Sequence, residues 1–189
     1  HQVLELGKGW NKKYETDFEL HISDTRNSSL AISRVKLQNK INLVNKKNFL
    51  FSTFFSLNFA TEKKDSDQIE YKFLFQNKFK HFIFNNGFGF YKNLNGIKSK
   101  KTILKYFPLI YFKKSIITDV HLAIAGSSDF GEISNFDTYT NQKHQYGFGF
   151  KKTFQKHTKK SFDLTIAYLK GLNSKSFDQS IIWYINKTF

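Results

Sequence analysis

Several residue types that often carry chemistry are absent from this chain of 189 residues. It has no Cys and no Met, and it has one Pro. Without Cys, a disulfide scaffold and any thiolate metal site are excluded. No stretch of about 18 or more apolar residues occurs, so no transmembrane helix is predicted. The N-terminal segment lacks the charged and apolar regions of a signal peptide, and the start at His1 favours a processed form of a longer precursor.

Acidic residues are scarce relative to basic ones. The chain has 15 Asp and Glu against 30 Lys and Arg, a net charge of +15. Such an excess is compatible with nucleic acid, with anionic lipid, or with a general bias toward lysine. The lysines are spread along the chain without a helix-turn-helix, zinc or RNA-recognition motif, so no nucleic-acid partner is predicted. The 23 Phe and 9 Tyr residues predict a folded chain rather than a disordered one.

Apolar and polar residues alternate through most of the chain, whereas helical spacing of apolar residues is poor. This period of two is typical of β-strands with two different faces. About ten strands are therefore predicted, in a single all-β domain spanning residues 1–189. The predicted strands are Tyr14–Ile22, Ala31–Leu43, Phe49–Phe59, Ile69–Phe75, Phe82–Phe90, Ile103–Phe112, Ile116–Ile124, Tyr146–Phe154, Phe162–Tyr168 and Phe177–Phe189.

Strand length and the connections favour one β architecture. The predicted strands have 7 to 13 residues, longer than the usual 5–6, and most reach the length of about 9–11 residues that suits crossing a bilayer at a tilt. Longer connections such as TEKKDSD (61–67) alternate with short, lysine-rich ones such as NKKN (45–48). Long loops on one rim and tight turns on the other are typical of outer-membrane barrels. We predict an antiparallel up-and-down transmembrane β-barrel of about ten strands, with 8 or 12 as alternatives and both termini on the short-turn rim.

The polar faces of the first two predicted strands carry charges of opposite sign. If residues 23–29 close this hairpin, the charges face each other, and each pair contributes roughly 0.2–1 kcal/mol. In a barrel of about eight to ten strands, such a ladder would plug the lumen. The predicted lumen ladder consists of Glu15, Asp17, Glu19, Arg34, Lys36 and Lys40.

Aromatic residues near predicted strand ends suggest contacts with membrane interfaces. The candidates for such interfacial girdles are Trp10, Tyr14, Tyr91, Tyr139 and Trp183. The last strand ends in Phe, as does the assembly signal of bacterial outer-membrane barrels. The residues that fit the alternation of this signal are Ile181, Trp183, Ile185 and Phe189. Lys187 departs from it, because that position is usually aromatic or apolar.

The C-terminal segment 144–189 contains YGFGF (146–150), YLKGLNS (168–174) and a closing strand that ends in Phe. With these motifs it resembles the C-terminal strands of a transporter-like outer-membrane barrel family associated with uptake of phenol-type aromatic compounds. The resemblance implies a passive route for small hydrophobic molecules in the bacterial outer membrane. Membrane lipid, lipopolysaccharide, the barrel assembly machinery and other envelope proteins are the partners expected for such a barrel. No cofactor or metal is predicted, and no binding residue of the family is carried over.

Several functions stay open at this point. The barrel is expected to act as a passive small-molecule channel or transporter, or as a structural component of an envelope assembly, and not as an enzyme. One alternative is a lipid-modifying enzyme of the outer membrane that uses His121 or His144 with Ser127 or Ser128. Another is a soluble β-rich binding protein whose Phe residues form a dry interior.

Overall fold

The computed structural model describes residues 2–25, 28–61, 65–96, 99, 101–155 and 161–187. These residues form strands and connections, and they include no helix that is long and apolar enough to cross a membrane. The strands are β1 (Gln2–Gly9), β2 (Tyr14–Thr25), β3 (Ser28–Lys46), β4 (Phe49–Ala60), β5 (Gln68–Lys78), β6 (Phe82–Asn93), β7 (Thr102–Ile117), β8 (Val120–Glu132), β9 (Asn135–Phe136), β10 (Lys143–Gln155), β11 (Ser161–Gly171) and β12 (Gln179–Lys187).

All twelve strands belong to one antiparallel sheet. Its order follows the chain from β1 to β8 and then through β10, β11 and β12, while the two-residue strand β9 pairs only with β8. Neighbours in the chain are therefore neighbours in space, as in an up-and-down sheet. The predicted all-β, antiparallel, up-and-down architecture is confirmed, with eleven long strands where about ten were predicted.

The sequence pattern missed one strand and ran another across a turn. The sequence pattern did not reveal β1, because Val3 and Leu4 are adjacent apolar residues and Gly7 and Gly9 interrupt its alternation. The predicted strand Ile116–Ile124 contains a turn at Thr118–Asp119, where Asp119 has a φ of 60°. This turn separates β7 from β8, so Lys113 and Lys114 belong to β7 and do not form the turn themselves.

The connections lie at two rims of the sheet. One rim carries the short turns 10–13, 47–48, 79–81 and 118–119, and we call it the short-turn rim. The opposite rim carries the connections 61–67, 94–101, 133–142 and 172–178, and we call it the long-loop rim. The predicted segregation of long and short connections is confirmed at these positions. The β2–β3 connection is shorter than predicted, because the two strands extend to Thr25 and Ser28.

Both outer edges of the sheet are free of pairing with any described residue beyond one neighbour. In the described part of the chain, β1 pairs only with β2, and β12 pairs only with β11. Because the eleven long strands alternate in direction, β1 and β12 run the same way, with β1 beginning at the long-loop rim and β12 ending at the short-turn rim. The prediction that both termini lie on the short-turn rim was therefore wrong, and the reason is the additional strand β1.

The YGFGF motif owes its glycines to close strand packing. A Cβ atom on Gly147 would lie 1.8 Å from the carbonyl oxygen of Tyr168 in β11, and one on Gly149 would lie 2.5 Å from that of Ile166. No side chain fits at such distances. The two glycines therefore let the backbones of β10 and β11 pass close to each other.

Candidate functional site: a charge belt on the inner face

The two faces of the sheet have opposite character. The inner face carries Glu19, Lys36 and Glu70, which are at most 8% exposed, although no second layer of described residues covers them. The sheet must therefore curve toward this face. The outer face carries large apolar residues such as Leu37 and Phe55, which are 42% and 43% exposed.

This arrangement inverts the usual distribution of a globular protein. Among the described residues, eleven polar or charged side chains are buried, against only three hydrophobic ones. The buried hydrophobic residues are Ala123, Ala167 and Leu169. An interior formed by the Phe residues, which the soluble alternative requires, is absent from the described part of the chain.

The predicted facing of charges between β2 and β3 is confirmed. Their register places Glu19 opposite Lys36 and Glu15 opposite Lys40. Lys36 Nζ lies 2.8 Å from Glu19 Oε1, and Lys40 Nζ lies 3.0 Å from Glu15 Oε2. Asp17 faces Gln38, whose side-chain amide donates to Asp17 Oδ2 at 3.2 Å.

Arg34 departs from the predicted ladder. Its register partner in β2 is His21, and its guanidinium donates to the carbonyl oxygen of Ser66 at 3.1 Å. Arg34 therefore connects the inner face to the β4–β5 connection at the long-loop rim. The alternation predicted the correct face for Arg34. It could not predict the contact with Ser66, because that contact depends on the path of the β4–β5 connection.

The charges continue across β4 into β5. Lys36 Nζ lies 3.5 Å from Glu70 Oε2, although β4 separates their strands, and Lys72 Nζ lies 2.9 Å from the same oxygen. The intervening strand presents the short side chains of Ser56 and Asn58 on this face, and Ser56 Oγ donates to Glu70 at 3.1 Å. Small residues on β4 thus make room for the contact between Lys36 and Glu70.

Tyr91 extends the row of charges toward β8. Its ring centre lies 5.7 Å from Lys72 Nζ and 4.6 Å from Lys105 Nζ, distances at which a cation and a π system attract. Lys105 Nζ in turn lies 3.8 Å from Asp129 Oδ2. The prediction of Tyr91 as an interfacial aromatic was therefore wrong, because its register opposite Glu70 places it on the inner face.

We call this connected row the charge belt. It crosses seven strands at one level of the inner face, nearer the long-loop rim. Sequence alternation marked Glu19, Lys36, Glu70 and Lys72 as polar-face residues, but it did not mark Lys105 or Asp129. Only strand register brings residues from β2 to β8 together. The charge belt consists of Glu19, Lys36, Glu70, Lys72, Tyr91, Lys105 and Asp129.

Two polar side chains beside the belt are buried without a described hydrogen-bond partner. They are Asp17, through Oδ1, and Asn58, through both side-chain polar atoms, and they are 3% and 1% exposed. An unpaired buried polar group costs about 1–3 kcal/mol in a dry interior. The inner face is therefore better suited to an aqueous space than to a packed apolar core.

The histidines of the enzyme alternative lie at opposite rims. His121 is near the short-turn rim and its Nδ1 lies 3.1 Å from the carbonyl oxygen of Phe112. Ser127 and Ser128 lie six and seven residues further along β8, about 20 Å away at the rise of a strand. His121 and these serines are therefore too far apart to act as a pair.

His144 lies opposite Ser128 on the outer face at the long-loop rim. Its Nε2 is 2.8 Å from Gln142 Oε1, and its ring stacks on Tyr139 with centroids 5.3 Å apart. The Ser128 hydroxyl is 2.8 Å from the Tyr146 hydroxyl, and Ser128 is 1% exposed. These contacts hold the connection 133–142 against the outer face, and a buried Ser128 gives a substrate no access.

A further ion pair joins the β6–β7 connection to the end of β8 at the long-loop rim. Lys101 Nζ lies 3.0 Å from Glu132 Oε2, and Ser134 Oγ donates to the same carboxylate at 2.9 Å. The hydrogen bond from Lys101 holds the pKa of Glu132 below its ordinary value. This pair therefore keeps its charge at mildly acidic pH.

The other predicted aromatic and C-terminal residues lie on or near the outer face. Trp10 is 57% exposed in the β1–β2 turn, and Tyr14, at the start of β2, hydrogen-bonds Asn39 through its hydroxyl. Trp183 lies in the middle of β12 rather than near a strand end, which corrects its predicted interfacial position. It shares one exposed face with Ile181 and Ile185, as the alternation predicts. Phe189 lies outside the described residues.

No protein-family model, curated protein or solved structure matches this chain. Among the described residues, no group of three or more His, Cys, Asp or Glu side chains is placed to hold a metal ion. The charge belt is therefore the candidate functional site that the geometry defines most clearly.

Proposed function

We propose that this chain forms an integral β-barrel of the bacterial outer membrane and gives small polar solutes a passive route past the charge belt. The observation that carries the proposal is the inverted burial: charged side chains lie inside and large apolar side chains lie outside. A soluble protein rarely exposes so much contiguous apolar surface. In a membrane barrel, the apolar outer face contacts hydrocarbon and the charged inner face contacts water.

The charge belt supports a polar solute. Its ammonium and carboxylate groups alternate around the inner face, and Asp17 and Asn58 retain hydrogen-bonding capacity beside it. A hydrophobic molecule, which the resemblance of the C-terminal segment implies, would have to displace water from these groups without replacing its hydrogen bonds. The belt therefore favours small polar solutes and acts as the constriction that selects them.

A structural role in an envelope assembly is the second candidate, and the free edges of β1 and β12 favour it. Backbone groups in hydrocarbon must be paired, so both edges require a neighbouring strand. Direct pairing of β1 with β12 would be parallel, since the two strands run in the same direction. A strand from another protein would satisfy the same edges and would incorporate this chain into a larger wall.

The absence of Cys allows a direct test of the aqueous interior. Gln76→Cys introduces a thiol on the inner face of β5, and Phe75→Cys introduces one on the outer face of the same strand. Each variant is folded into phosphatidylcholine vesicles and treated with a bulky, membrane-impermeant thiol reagent. We expect the thiol at position 76 to react from water and the thiol at position 75 to be protected by lipid.

Efflux of small sugars and salts from the same vesicles separates the two candidates. Channel function predicts efflux that the thiol reagent reduces in the Gln76→Cys variant and leaves unchanged in the Phe75→Cys variant. Inserted protein that releases no solute would refute the channel and leave the structural role. A protein that stays in buffer without detergent, with both thiols reactive, would refute the barrel itself.

A further inference from the structure

The short-turn rim carries an unusual regularity of lysines. Three of its described turns, 10–13, 47–48 and 79–81, each bring two lysines to the rim, in the turn or in the strand residue beside it. Two more lysines lie in β7 at the level of the turn 79–81, where the Lys113 N–H donates to the carbonyl oxygen of His81 at 2.9 Å. The eight residues are Lys12, Lys13, Lys46, Lys47, Lys78, Lys80, Lys113 and Lys114. All eight are exposed, and none forms an ion pair with a carboxylate of the described residues. Asp119 is the single acidic residue of these turns.

The long-loop rim has a different charge balance. Its described connections and the strand residues beside them balance lysines with an equal number of acidic residues. They are Lys92, Lys101, Lys143, Lys170 and Lys175 together with Asp65, Asp67, Glu132, Asp137 and Asp178. The overall excess of lysine in the composition therefore does not explain the short-turn rim, because the same bias acts on both rims. Only the sheet topology reveals the difference, since it brings turns that are far apart in sequence to one end of the strands.

Exposed apolar side chains accompany the lysines. Trp10 and Phe79 are 57% and 48% exposed in two of the turns, and Ile116 and Ile117 are 58% and 70% exposed at the end of β7. The ammonium of Lys8 lies 4.3 Å from the centre of the Trp10 ring. Lysines beside aromatic and aliphatic residues at strand ends suit the boundary between hydrocarbon and headgroups.

We propose that this lysine rim binds the anionic headgroups of phospholipids in the leaflet at which the short turns emerge. The inference rests on the proposed membrane insertion and adds a lipid class and a side of the membrane to it. Anionic lipid is favoured over an acidic protein because the interleaved Trp, Phe and Ile side chains need hydrocarbon beside the charges. Lysines near an anionic surface each contribute an attraction of about five-fold in association.

The two tryptophans of the chain provide local probes. In the Trp183→Phe variant, Trp10 reports on lipid at the short-turn rim, and in the Trp10→Phe variant, Trp183 reports on the middle of the outer face. Each is inserted into vesicles in which either phosphatidylglycerol or phosphatidylcholine carries brominated, fluorescence-quenching acyl chains. We expect Trp10 to select phosphatidylglycerol by at least about five-fold at low salt, and Trp183 to show no more than two-fold selection.

Lysine substitutions assign this selectivity to the rim. One variant should lose the selection of phosphatidylglycerol at Trp10, and it carries Lys→Gln changes at Lys12, Lys13, Lys46 and Lys47. High salt should abolish the same selection in the protein without these changes, because salt screens the attraction. A control of the same net charge carries Lys→Gln changes near the long-loop rim. Its positions are Lys92, Lys143, Lys170 and Lys175, which are all exposed. This control should retain the selection.

The outcomes separate the two proposals. Two results would overturn the lipid proposal without affecting the proposed membrane insertion. One is equal quenching of Trp10 by both lipids, and the other is lipid selection that persists after the four lysine changes at the short-turn rim. Absence of quenching at Trp183 by either lipid would mean that the protein does not insert, and would overturn the proposed barrel.

Discussion

A lysine placed at Leu37 provides a sharp test of which face of the sheet meets lipid. Leu37 is the midpoint of β3 (Ser28–Lys46), it is 42% exposed, and it lies on the outer face between Phe18 and Leu57. A lysine at the midplane of a bilayer-spanning strand costs about 2–4 kcal/mol. Leu37→Lys should therefore reduce the folding equilibrium constant by about 30- to 700-fold. In water, the same exposed substitution would change stability by no more than about 0.5 kcal/mol.

The adjacent residue provides the control. Gln38 lies on the inner face, is 6% exposed and hydrogen-bonds Asp17, so Gln38→Lys places the same charge beside a carboxylate. We expect this change to cost less than Leu37→Lys, because the new ammonium can pair with the Asp17 carboxylate, whereas hydrocarbon offers a lysine at position 37 no partner. Equilibrium unfolding in urea, with the protein in phosphatidylcholine vesicles and tryptophan fluorescence as the signal, measures both variants. Equal stability of Leu37→Lys and Gln38→Lys would refute the assignment of the outer face to lipid.

Two further predictions concern the interior and the strand packing. Lys36→Met removes the buried ammonium that Glu19 and Glu70 share and leaves Glu19 with the His21 ring, whose Nε2 lies 2.9 Å from Glu19 Oε2. It should cost about 3–5 kcal/mol, whereas Lys40→Met, in a more exposed pair, should cost less than about 1 kcal/mol. Similar losses for both variants in the unfolding assay would contradict the buried belt. Gly147→Ala should prevent folding, because its Cβ would lie 1.8 Å from a carbonyl oxygen, whereas a Cβ on Gly9 meets nothing within 4 Å and Gly9→Ala should be neutral. The mobility of unheated protein on gels measures both, and a folded Gly147→Ala variant would show that β10 and β11 are not packed as described.

The hairpin of β2 and β3 shows which contacts the alternation of polar and apolar residues can predict. The charges of these two strands were predicted to face each other, and Glu19 and Lys36 do, because strands that are neighbours in the chain pair in the sheet. Contacts between strands that are not neighbours were beyond this reasoning. Lys36 meets Glu70 across β4 because the sheet curves and Ser56 is small. Tyr91 joins the belt because its register places it opposite Glu70 on the inner face.

Errors at strand boundaries have a related cause. The segment Ile116–Ile124 alternates well enough to be one strand, yet its centre is a turn, because hydrophobic alternation does not record a change of chain direction. Strand β1 was missed because two glycines weaken its pattern, although its backbone pairs fully with β2. One added strand is sufficient to move a terminus to the other rim and to make β1 and β12 run in the same direction.

The sequence by itself determined that this protein is all-β and antiparallel, and that one face of each strand is apolar and the other polar, because side chains alternate with every residue along a strand. It left open which face is buried. The tertiary structure decided this, since curvature of the sheet encloses the charged face and exposes Leu, Ile and Phe to the surroundings. It also decided which charges meet and which lysines share a rim, because both depend on the order and register of strands that are far apart in the chain.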